Sequence, residues 1–164
     1  MIQSSLQRAM DEIRSLSAGL GVPQLDGLTL PETLSRVVRV HEQRTRTRVL
    51  VNLEGTPENA SLPVKITLYR VIQEALNNAY RHAGGLGQEV KVSLVKGQIH
   101  VEVSDGGPGF KYEEASWWDK HLGLVGMRER VESLGGVFRV VSTPGRGTQV
   151  IADLALQGAG EQDG

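Results

Sequence analysis

The sequence predicts an α+β fold, a two-layer sandwich in which one mixed sheet carries helices on a single face. Segments with the periodicity of amphipathic helices alternate with short segments of period two, which is typical of strands. The clearest strands are residues 90–94 and 99–103, joined as a hairpin by Lys96 and Gly97. The clearest helix is residues 69–83, which has one continuous apolar face. The other elements are assigned around these two.

Composition restricts the function classes. A chain of 164 residues with 39% hydrophobic and 23% charged residues is predicted to be one soluble globular domain. A net charge of −1 provides no basic surface for nucleic acid or an anionic membrane. There are no cysteines and only four scattered histidines, which excludes disulfides and zinc–cysteine sites. With no apolar run near the ~20 residues that span a bilayer, we expect a cytoplasmic domain without direct membrane contact, although its parent protein could be membrane-anchored.

The N-terminal third is predicted to be helical. Residues 4–18 have helical spacing and end at Gly19 and Gly21, so they form either the tail of a helical hairpin or a plain packing helix. A linker, VPQLDGLTL, leads to a second helix over residues 31–46, opened by Pro31. His41 lies on the apolar face of this helix and is expected to pack or cap.

The central elements follow from alternation and capping signals. Val49, Val51 and Leu53 alternate and predict the first strand. Ser61 supplies an N-cap for the central helix and Pro63 a first-turn proline. Three glycines then end that helix, at positions 84, 85 and 87.

The C-terminal third has a weakly periodic part and a regular one. Residues 111–122, with Trp117 and Trp118, are interpreted as a loop or partly helical flap. A third helix over residues 123–134 precedes the strands VFRVVS and TQVIADL, and residues 157–164 form a disordered tail.

Three polar residues form one stripe on the central helix. Glu74, Asn78 and His82 follow at i, i+4 and i+8, opposite the apolar face. A carboxylate, a carboxamide and an imidazole can hold a hard divalent cation, directly or through its water shell, and can hydrogen-bond phosphate. Taken alone, the stripe is better explained as the wetted face of a helix.

Two glycine-containing segments add candidate ligand contacts. Asp105, with Gly107 and Gly109, offers an acceptor beside backbone that a flat ligand can approach, or else a glycine-rich turn capped by aspartate. Gly123 and Gly126 open a helix whose free amides suit an anion, although glycine before a helix is common. No G-x-x-x-x-G-K-[ST] loop and no strand-linked G-x-G-x-x-G occurs, so a nucleotide site here needs another architecture.

Together the motifs resemble one superfamily. E-x-x-x-N followed by R-H-A, then D-x-G-x-G, then G-L-x-G-M-R-E-R, then G-T occur in this order. They resemble the Bergerat-fold ATPases, which include gyrase, ninety-kilodalton chaperones, mismatch-repair ATPases and histidine kinases. Two sequence segments are most similar to the catalytic domain of sensor histidine kinases that partner helix-turn-helix response regulators. These segments are EALNNAYRHA and GLVGMRERVESLGG. The resemblance covers residues 28–154.

The resemblance implies ATP and Mg²⁺ as ligands and a role for each matching residue. Glu74 would orient a metal-bound water or act as a base, and Asn78 would coordinate Mg²⁺. Asp105 would accept from the adenine amine. The remaining contacts implied are Arg81 and His82 at the phosphates, Gly107 and Gly109 beneath the base, Gly123 and Gly126 at the lid end, and Thr148 on its strand. Residues 111–122 would be the ATP lid.

The chain departs from the family pattern at several positions. Gly106 stands where asparagine often follows the aspartate, and Asn77 is a second asparagine in the helix. No phosphoacceptor motif is found, since the His41–Glu42 pair falls after the linker. The implied organisation is a dimerisation-helix tail and linker over residues 1–27, an ATP-binding domain over 28–156 and a tail over 157–164.

The functional hypothesis is therefore a kinase domain that transfers the γ-phosphoryl group of Mg-ATP to a histidine outside this chain. Its expected partners are the dimerisation domain of a homodimeric parent kinase and a response regulator. Two alternatives belong to other classes: an anti-sigma-type serine kinase of the same superfamily, and an ATP-gated scaffold without transfer.

Overall fold

The computed structural model describes residues 23–109 and 122–157. Its helices are α1 Pro23–Asp26, α2 Leu30–Thr45, α3 Leu62–Ala83 and α4 Leu122–Ser133. Its strands are β1 Leu50–Asn52, β2 Glu89–Val95, β3 Gln98–Ser104, β4 Val137–Ser142 and β5 Thr148–Ala155. The predicted helix over residues 4–18, the segment 111–121 with both tryptophans, and residues 158–164 lie outside the described residues.

The five strands form one mixed sheet in the order β1-β2-β3-β5-β4. β1 runs parallel to β2, and every other neighbouring pair is antiparallel. The crossover between the parallel strands is α3, which therefore lies across the middle of the sheet. The mixed sheet with helices on one face confirms the predicted fold class.

The core lies between the sheet and the helices. Alternate residues of β2, β3 and β5 point into it, among them Val92, Ile99 and Leu154, which are at most 1% exposed. Leu34 of α2 and Leu68 of α3 meet them from the helical layer, both fully buried. The opposite face of the sheet faces solvent and is mostly polar, as a sheet covered on one side requires.

Capping side chains start the two long helices. The Thr29 hydroxyl accepts from Glu32 N at 3.2 Å, and the Ser61 hydroxyl accepts from Val64 N at 3.4 Å. Gly84 ends α3 in the left-handed conformation with φ of 63°. The predicted N-cap, first-turn proline and glycine stop of the central helix are confirmed.

Two predicted features differ from the structure. The alternation of Val49, Val51 and Leu53 predicted a longer strand, but β1 has only three residues and Val51 is 41% exposed, because β1 is the edge of the sheet. The predicted linker contains a helical turn, α1. Hydrogen bonds from the Lys65 side chain connect this turn to α3.

Lys65 is a buried lysine without an acidic partner among the described residues. Its Nζ donates to the carbonyl oxygens of Leu25 at 3.0 Å, Asp26 at 3.4 Å and Leu28 at 2.9 Å. These carbonyls close the end of α1, where the helix dipole is negative. The ammonium therefore fixes the start of the described chain to the first turns of α3.

His41 is held neutral between α2 and the loop before β2. Its Nε2 lies 2.7 Å from Gln88 Oε1, an acceptor, so Nε2 carries the proton. Its Nδ1 accepts from Arg44 Nη2 at 3.5 Å, and burial lowers its pKa. At 4% exposure, His41 is a packing residue, as predicted.

His100 shows the opposite behaviour on the open face of the sheet. Its Nδ1 lies 2.6 Å from Asp153 Oδ1, and its Nε2 lies 2.9 Å from Glu102 Oε1. Because both partners are carboxylates, which accept hydrogen bonds, the surroundings of His100 favour the imidazolium form. The hydrogen bonds to Glu102 and then Asp153 raise the pKa of His100.

Candidate functional site

A cleft opens between α3, the facing ends of β3 and β5, and the start of α4. Thirteen residues line it: Ala75, Asn78, Ala79, His82, Ala83, Val103, Ser104, Asp105, Pro108, Gly109, Leu124, Thr148 and Val150. The walls are apolar and the polar groups are few. This combination is typical of small-molecule sites.

Five of the ten residues predicted for the site lie along this cleft: Asn78, His82, Asp105, Gly109 and Thr148. They come from three segments distant in sequence, which the sheet and α3 bring together. The other five, Glu74, Arg81, Gly107, Gly123 and Gly126, lie outside the lining. The nucleotide roles of all ten residues stay predictions.

The backbone around Asp105 is tightly held. Asp105 N donates to Thr148 O at 3.0 Å, and Gly106 N donates to Leu86 O at 2.8 Å. The carboxylate accepts from Gly107 N at 2.9 Å through Oδ1. Within the described residues the second carboxylate oxygen has no assigned partner, so Asp105 is a pre-oriented acceptor at the edge of the cleft.

Glycine is required at two positions next to Asp105. Gly109 has φ of 68°, and a Cβ there would overlap the carbonyl oxygen of Thr143 and lie 2.9 Å from that of Gly147. Gly147 has φ of 75°, and a Cβ there would overlap the carbonyl oxygen of Asp105. The backbone of the turn before β5 thus packs directly against the backbone of the D-x-G-x-G segment.

The two asparagines of α3 have different surroundings. Asn77 accepts a hydrogen bond from Arg44 through Oδ1 on the exposed side of the helix. Asn78 lines the cleft, and its Nδ2 is buried without a hydrogen-bond partner among the described residues. A buried amide nitrogen without a partner is costly, so Asn78 has a hydrogen-bond donor that the described residues leave unused at the cleft.

Glu74 lies one turn before Asn78 and faces the first residues of α4. A Cβ on Gly123 would overlap the Glu74 carboxyl group and lie 3.0 Å from its Cγ. Because Gly123 has no Cβ, the Glu74 carboxylate can lie next to the N-terminal end of α4, where the helix dipole favours a negative charge. By contrast, a Cβ on Gly126 would meet nothing within 4 Å.

Thr148 is oriented by a neighbouring strand. Its hydroxyl lies 2.9 Å from Ser142 Oγ, and Ser142 Oγ also donates to Gly147 O at 3.3 Å. Since Ser142 is the last residue of β4 and Thr148 the first of β5, the pair closes the sheet beside the cleft.

Sequence reasoning missed the apolar floor of the cleft. Ala75, Ala79 and Ala83 follow at i, i+4 and i+8, one position after the polar stripe. Their small side chains leave room that longer ones would fill, and a Cβ on Gly107 would overlap the Cβ of Ala83. The signal was present as a second row of the same period, but alanine in a helix is too common to stand out.

The described residues contain no group of three or more acidic or histidine side chains arranged to hold a metal ion. Asn78, with Glu74 one turn away, offers the small oxygen donor set that Mg²⁺ accepts when water and phosphate complete its shell. The residues therefore fit Mg²⁺ brought with a nucleotide. None of the described helices is long and apolar enough to cross a bilayer.

Comparison with known proteins identifies a family for most of this region. The family profile described as "Histidine kinase-, DNA gyrase B-, and HSP90-like ATPase" matches residues 64–158, more than half of the chain. The matched range includes all but the first two residues of α3, the strands β2 to β5 and all ten predicted site residues.

Curated relatives and solved structures agree. The chain is 34% identical to the signal transduction histidine-protein kinase/phosphatase DegS of Brevibacillus brevis over 95% of its length, and 29% identical to the sensor histidine kinase LiaS of Bacillus subtilis over 99%. It spans 39% and 45% of the lengths of these two relatives. The histidine kinase domain of the Erythrobacter litoralis EL346 blue-light activated histidine kinase aligns with a TM-score of 0.66 at 26% identity, covering 78% of this chain and 61% of that one.

Proposed function

Since this chain belongs to the family of histidine kinase-, DNA gyrase B- and HSP90-like ATPases, we propose that it is the ATP-binding catalytic domain of a two-component sensor histidine kinase. It transfers the γ-phosphoryl group of Mg-ATP to a histidine on a dimerisation domain, from which a response regulator takes it. The observation that carries this proposal is the convergence of Asn78, Asp105 and Thr148 on one apolar cleft.

The adenine end of the site is assigned to Asp105. Its free carboxylate oxygen accepts from the exocyclic amine, and Gly107 and Gly109 let the base lie close to the backbone. Guanine carries an oxygen where adenine carries that amine, so two acceptors would face each other. This predicts selectivity for adenine nucleotides.

The phosphate end is assigned to the polar stripe and the start of α4. Asn78 supplies an oxygen to Mg²⁺, which neutralises phosphate charge when bound. His82 and Arg81 face the phosphates, and Gly123 and Gly126 lie at the anion-binding end of α4. Phosphoryl transfer requires mostly positioning and charge neutralisation, which these groups supply.

Glu74 is assigned to the chemical step. In transfer to histidine, a phosphorus–nitrogen bond forms as the bond between the β,γ-bridging oxygen and the γ-phosphorus breaks, and the imidazole N–H proton must leave. A carboxylate facing the start of α4, one turn from Asn78, suits either a base for that proton or a holder of metal-bound water.

Calorimetric titration with Mg-ATP and Mg-GTP tests the proposal. Losing a hydrogen bond to a charged group costs about 1.5–3 kcal/mol, so Asp105→Ala is expected to weaken ATP roughly ten- to a hundredfold. Asp26→Ala, which changes an exposed aspartate, is the control and should leave ATP affinity unchanged. Equal binding of GTP and ATP by the parent would refute the adenine assignment.

Labelling with γ-labelled ATP tests the class of transfer. The isolated chain should acquire no acid-labile label, because His41 and His100 have both ring nitrogens engaged and an acceptor must be held in line. The same is expected of His82 and His121, the latter outside the described residues. A dimerisation-hairpin fragment from a related kinase should be labelled slowly in trans. Acid-stable label on a partner's serine would favour the anti-sigma-type alternative.

A further inference from the structure

Polar side chains from three neighbouring strands form one row that ends at the cleft. Ser142 of β4 lies directly opposite Thr148 of β5 in the register of these strands. Asp105 follows the last residue of β3, and its backbone N donates to Thr148 O at 3.0 Å, which continues the pairing of β3 with β5. Thr148 and Asp105 both line the cleft. Because directly opposite residues of paired strands are side-chain neighbours, Ser142 contacts the cleft through Thr148.

The hydrogen bonds of Ser142 fix which hydroxyl of the row is the donor. A hydroxyl group carries a single proton. Ser142 Oγ lies 3.3 Å from Gly147 O, and a carbonyl oxygen only accepts, so the Ser142 proton is used in this bond. Thr148 Oγ1 lies 2.9 Å from Ser142 Oγ and must therefore donate its own proton to Ser142. At 9% exposure, Ser142 is sheltered from water that would compete for these bonds.

The direction of this bond sets the polarity of Thr148 toward the cleft. With its proton turned toward Ser142, Thr148 Oγ1 has only lone pairs to offer a ligand. The neighbouring carboxylate of Asp105 also offers only acceptor oxygens. A threonine hydroxyl without such a partner can rotate and either donate or accept. Ser142 thus decides the hydrogen-bonding character of a cleft to whose described lining it does not belong.

The turn between β4 and β5 is closed by other bonds. Arg146 N donates to Thr143 O at 3.0 Å, and Gly145 N donates to Pro108 O at 2.6 Å. These backbone bonds form the turn and connect it to the D-x-G-x-G segment without any hydroxyl group. The bond between the two hydroxyls is therefore not needed to shape the turn, and its consequence lies in the orientation of Thr148.

We propose that Ser142 is a positioning residue for nucleotide selection, because it holds the Thr148 hydroxyl as an acceptor at the base end of the cleft. This inference rests on the proposed function and adds a residue to it. A 6-amino purine brings two N–H donors to a site that presents acceptors only. A 6-oxo purine brings a carbonyl oxygen that faces acceptors without a donor, and leaving it unpaired is costly.

The direction of the hydroxyl bond is measured by NMR on the intact chain without nucleotide. A Thr148 hydroxyl proton bonded to Ser142 should exchange slowly with water and give its own signal, which Ser142→Ala should abolish. Thr143→Ala removes the exposed hydroxyl next to Ser142 in sequence and should leave the signal in place. A Thr148 proton that exchanges rapidly in the parent would mean that it points into the cleft, which would overturn the inference.

The effect on selection is measured by calorimetric titration with Mg-ATP and Mg-ITP, whose bases carry an amine and an oxygen at position 6. Ser142→Ala releases the Thr148 hydroxyl, so Mg-ATP should bind roughly three- to tenfold more weakly while Mg-ITP binds as well as before or better. Ser142→Thr keeps a hydroxyl and should restore the parental preference to within about twofold. Thr143→Ala should leave both affinities within about twofold of the parent.

A double-mutant cycle separates positioning from packing. Since Ser142 acts through Thr148, Ser142→Ala should change the preference for Mg-ATP over Mg-ITP less than about twofold in a Thr148→Val background. An equal loss of both nucleotides in Ser142→Ala, or an undiminished effect in that background, would overturn the inference. Failure of the parent to bind Mg-ATP would refute the proposed function instead, and the NMR measurement distinguishes the two failures because it needs no nucleotide.

Discussion

The two sides of α3 have opposite properties. Toward the sheet, Leu68, Ile72 and Leu76 are fully buried in apolar surroundings. Toward α4 and the cleft, Arg70 and Asn78 are buried polar groups with unfilled hydrogen-bonding capacity. The apolar side is stabilised by burial in the core, whereas the polar side keeps two buried nitrogens without partners among the described residues. The contrast between the two sides of α3 shows that side chains for stability and candidate side chains for binding can lie on different faces of the same helix.

Removing a side chain from the apolar side should have the largest effect. Ile72→Ala leaves a cavity in the core and is expected to lower the free energy of unfolding by about 2–5 kcal/mol. The folded fraction should still bind ATP with parental affinity. Urea unfolding, with Gln73→Ala as a control within about 0.5 kcal/mol, checks this. A loss of ATP affinity in folded Ile72→Ala would show that the apolar side of α3 contributes to binding as well as to stability.

Adjacent asparagines provide the next comparison. Asn78→Ala should abolish the Mg²⁺ dependence of ATP binding, a loss of about 1.5–3 kcal/mol in binding free energy, with little change in stability. Asn77→Ala removes only the bond to Arg44 and should keep that dependence. Calorimetry with and without Mg²⁺ distinguishes them, and the reverse result would show that the assignment of the two asparagines is wrong.

The two glycines of α4 offer a sharper test of Glu74. Gly123→Ala pushes the Glu74 carboxyl group aside and should lower phosphoryl transfer about tenfold, near 1.4 kcal/mol, with ATP affinity kept. The methyl group added by Gly126→Ala would have no atom within 4 Å. Because alanine favours a helix more than glycine does, this change should raise the free energy of unfolding by up to about 1 kcal/mol. Transfer rates and unfolding curves measured on both variants decide this, and equal transfer rates would remove Glu74 from the chemical step.

The smallest effects concern pH, where two histidines act in opposite directions. Below pH 6.5, the ordinary pKa, protonation of unfolded His41 favours unfolding, because its folded pKa is lowered. His100 stabilises below 6.5, and its contribution is lost as pH rises through its raised folded pKa. Each slope is at most about 1.4 kcal/mol per pH unit. Urea unfolding from pH 5 to 8 should show that His100→Gln flattens the alkaline side and His41→Gln the acid side.

Much of the fold was predictable because local signals agree with the tertiary structure. Ser61 and Pro63 start α3, Gly84 ends it, and Lys96 and Gly97 turn the hairpin between β2 and β3. The strands β4 and β5 also follow directly from alternation. Asn78 and Asp105 were identified through spacing and through a family resemblance, and the structure brings both to one cleft.

The features that the sequence did not predict depend on contacts between segments that are distant in sequence. A lysine in a helix predicts a solvated side chain, but Lys65 is buried because backbone carbonyls about 40 residues upstream surround it. Arg70 gives the same prediction, yet it is only 8% exposed, and its helical periodicity does not predict that burial. The floor of Ala75, Ala79 and Ala83 was missed because alanine carries no chemical signature.

The attachment made by Lys65 sets where the polypeptide upstream of Pro23 begins its path. Lys65 lies thirteen residues before Asn78 on one straight helix, which is about 20 Å along the axis. The chain upstream of Pro23 therefore starts about 20 Å from Asn78, a distance that about six residues of extended chain can span.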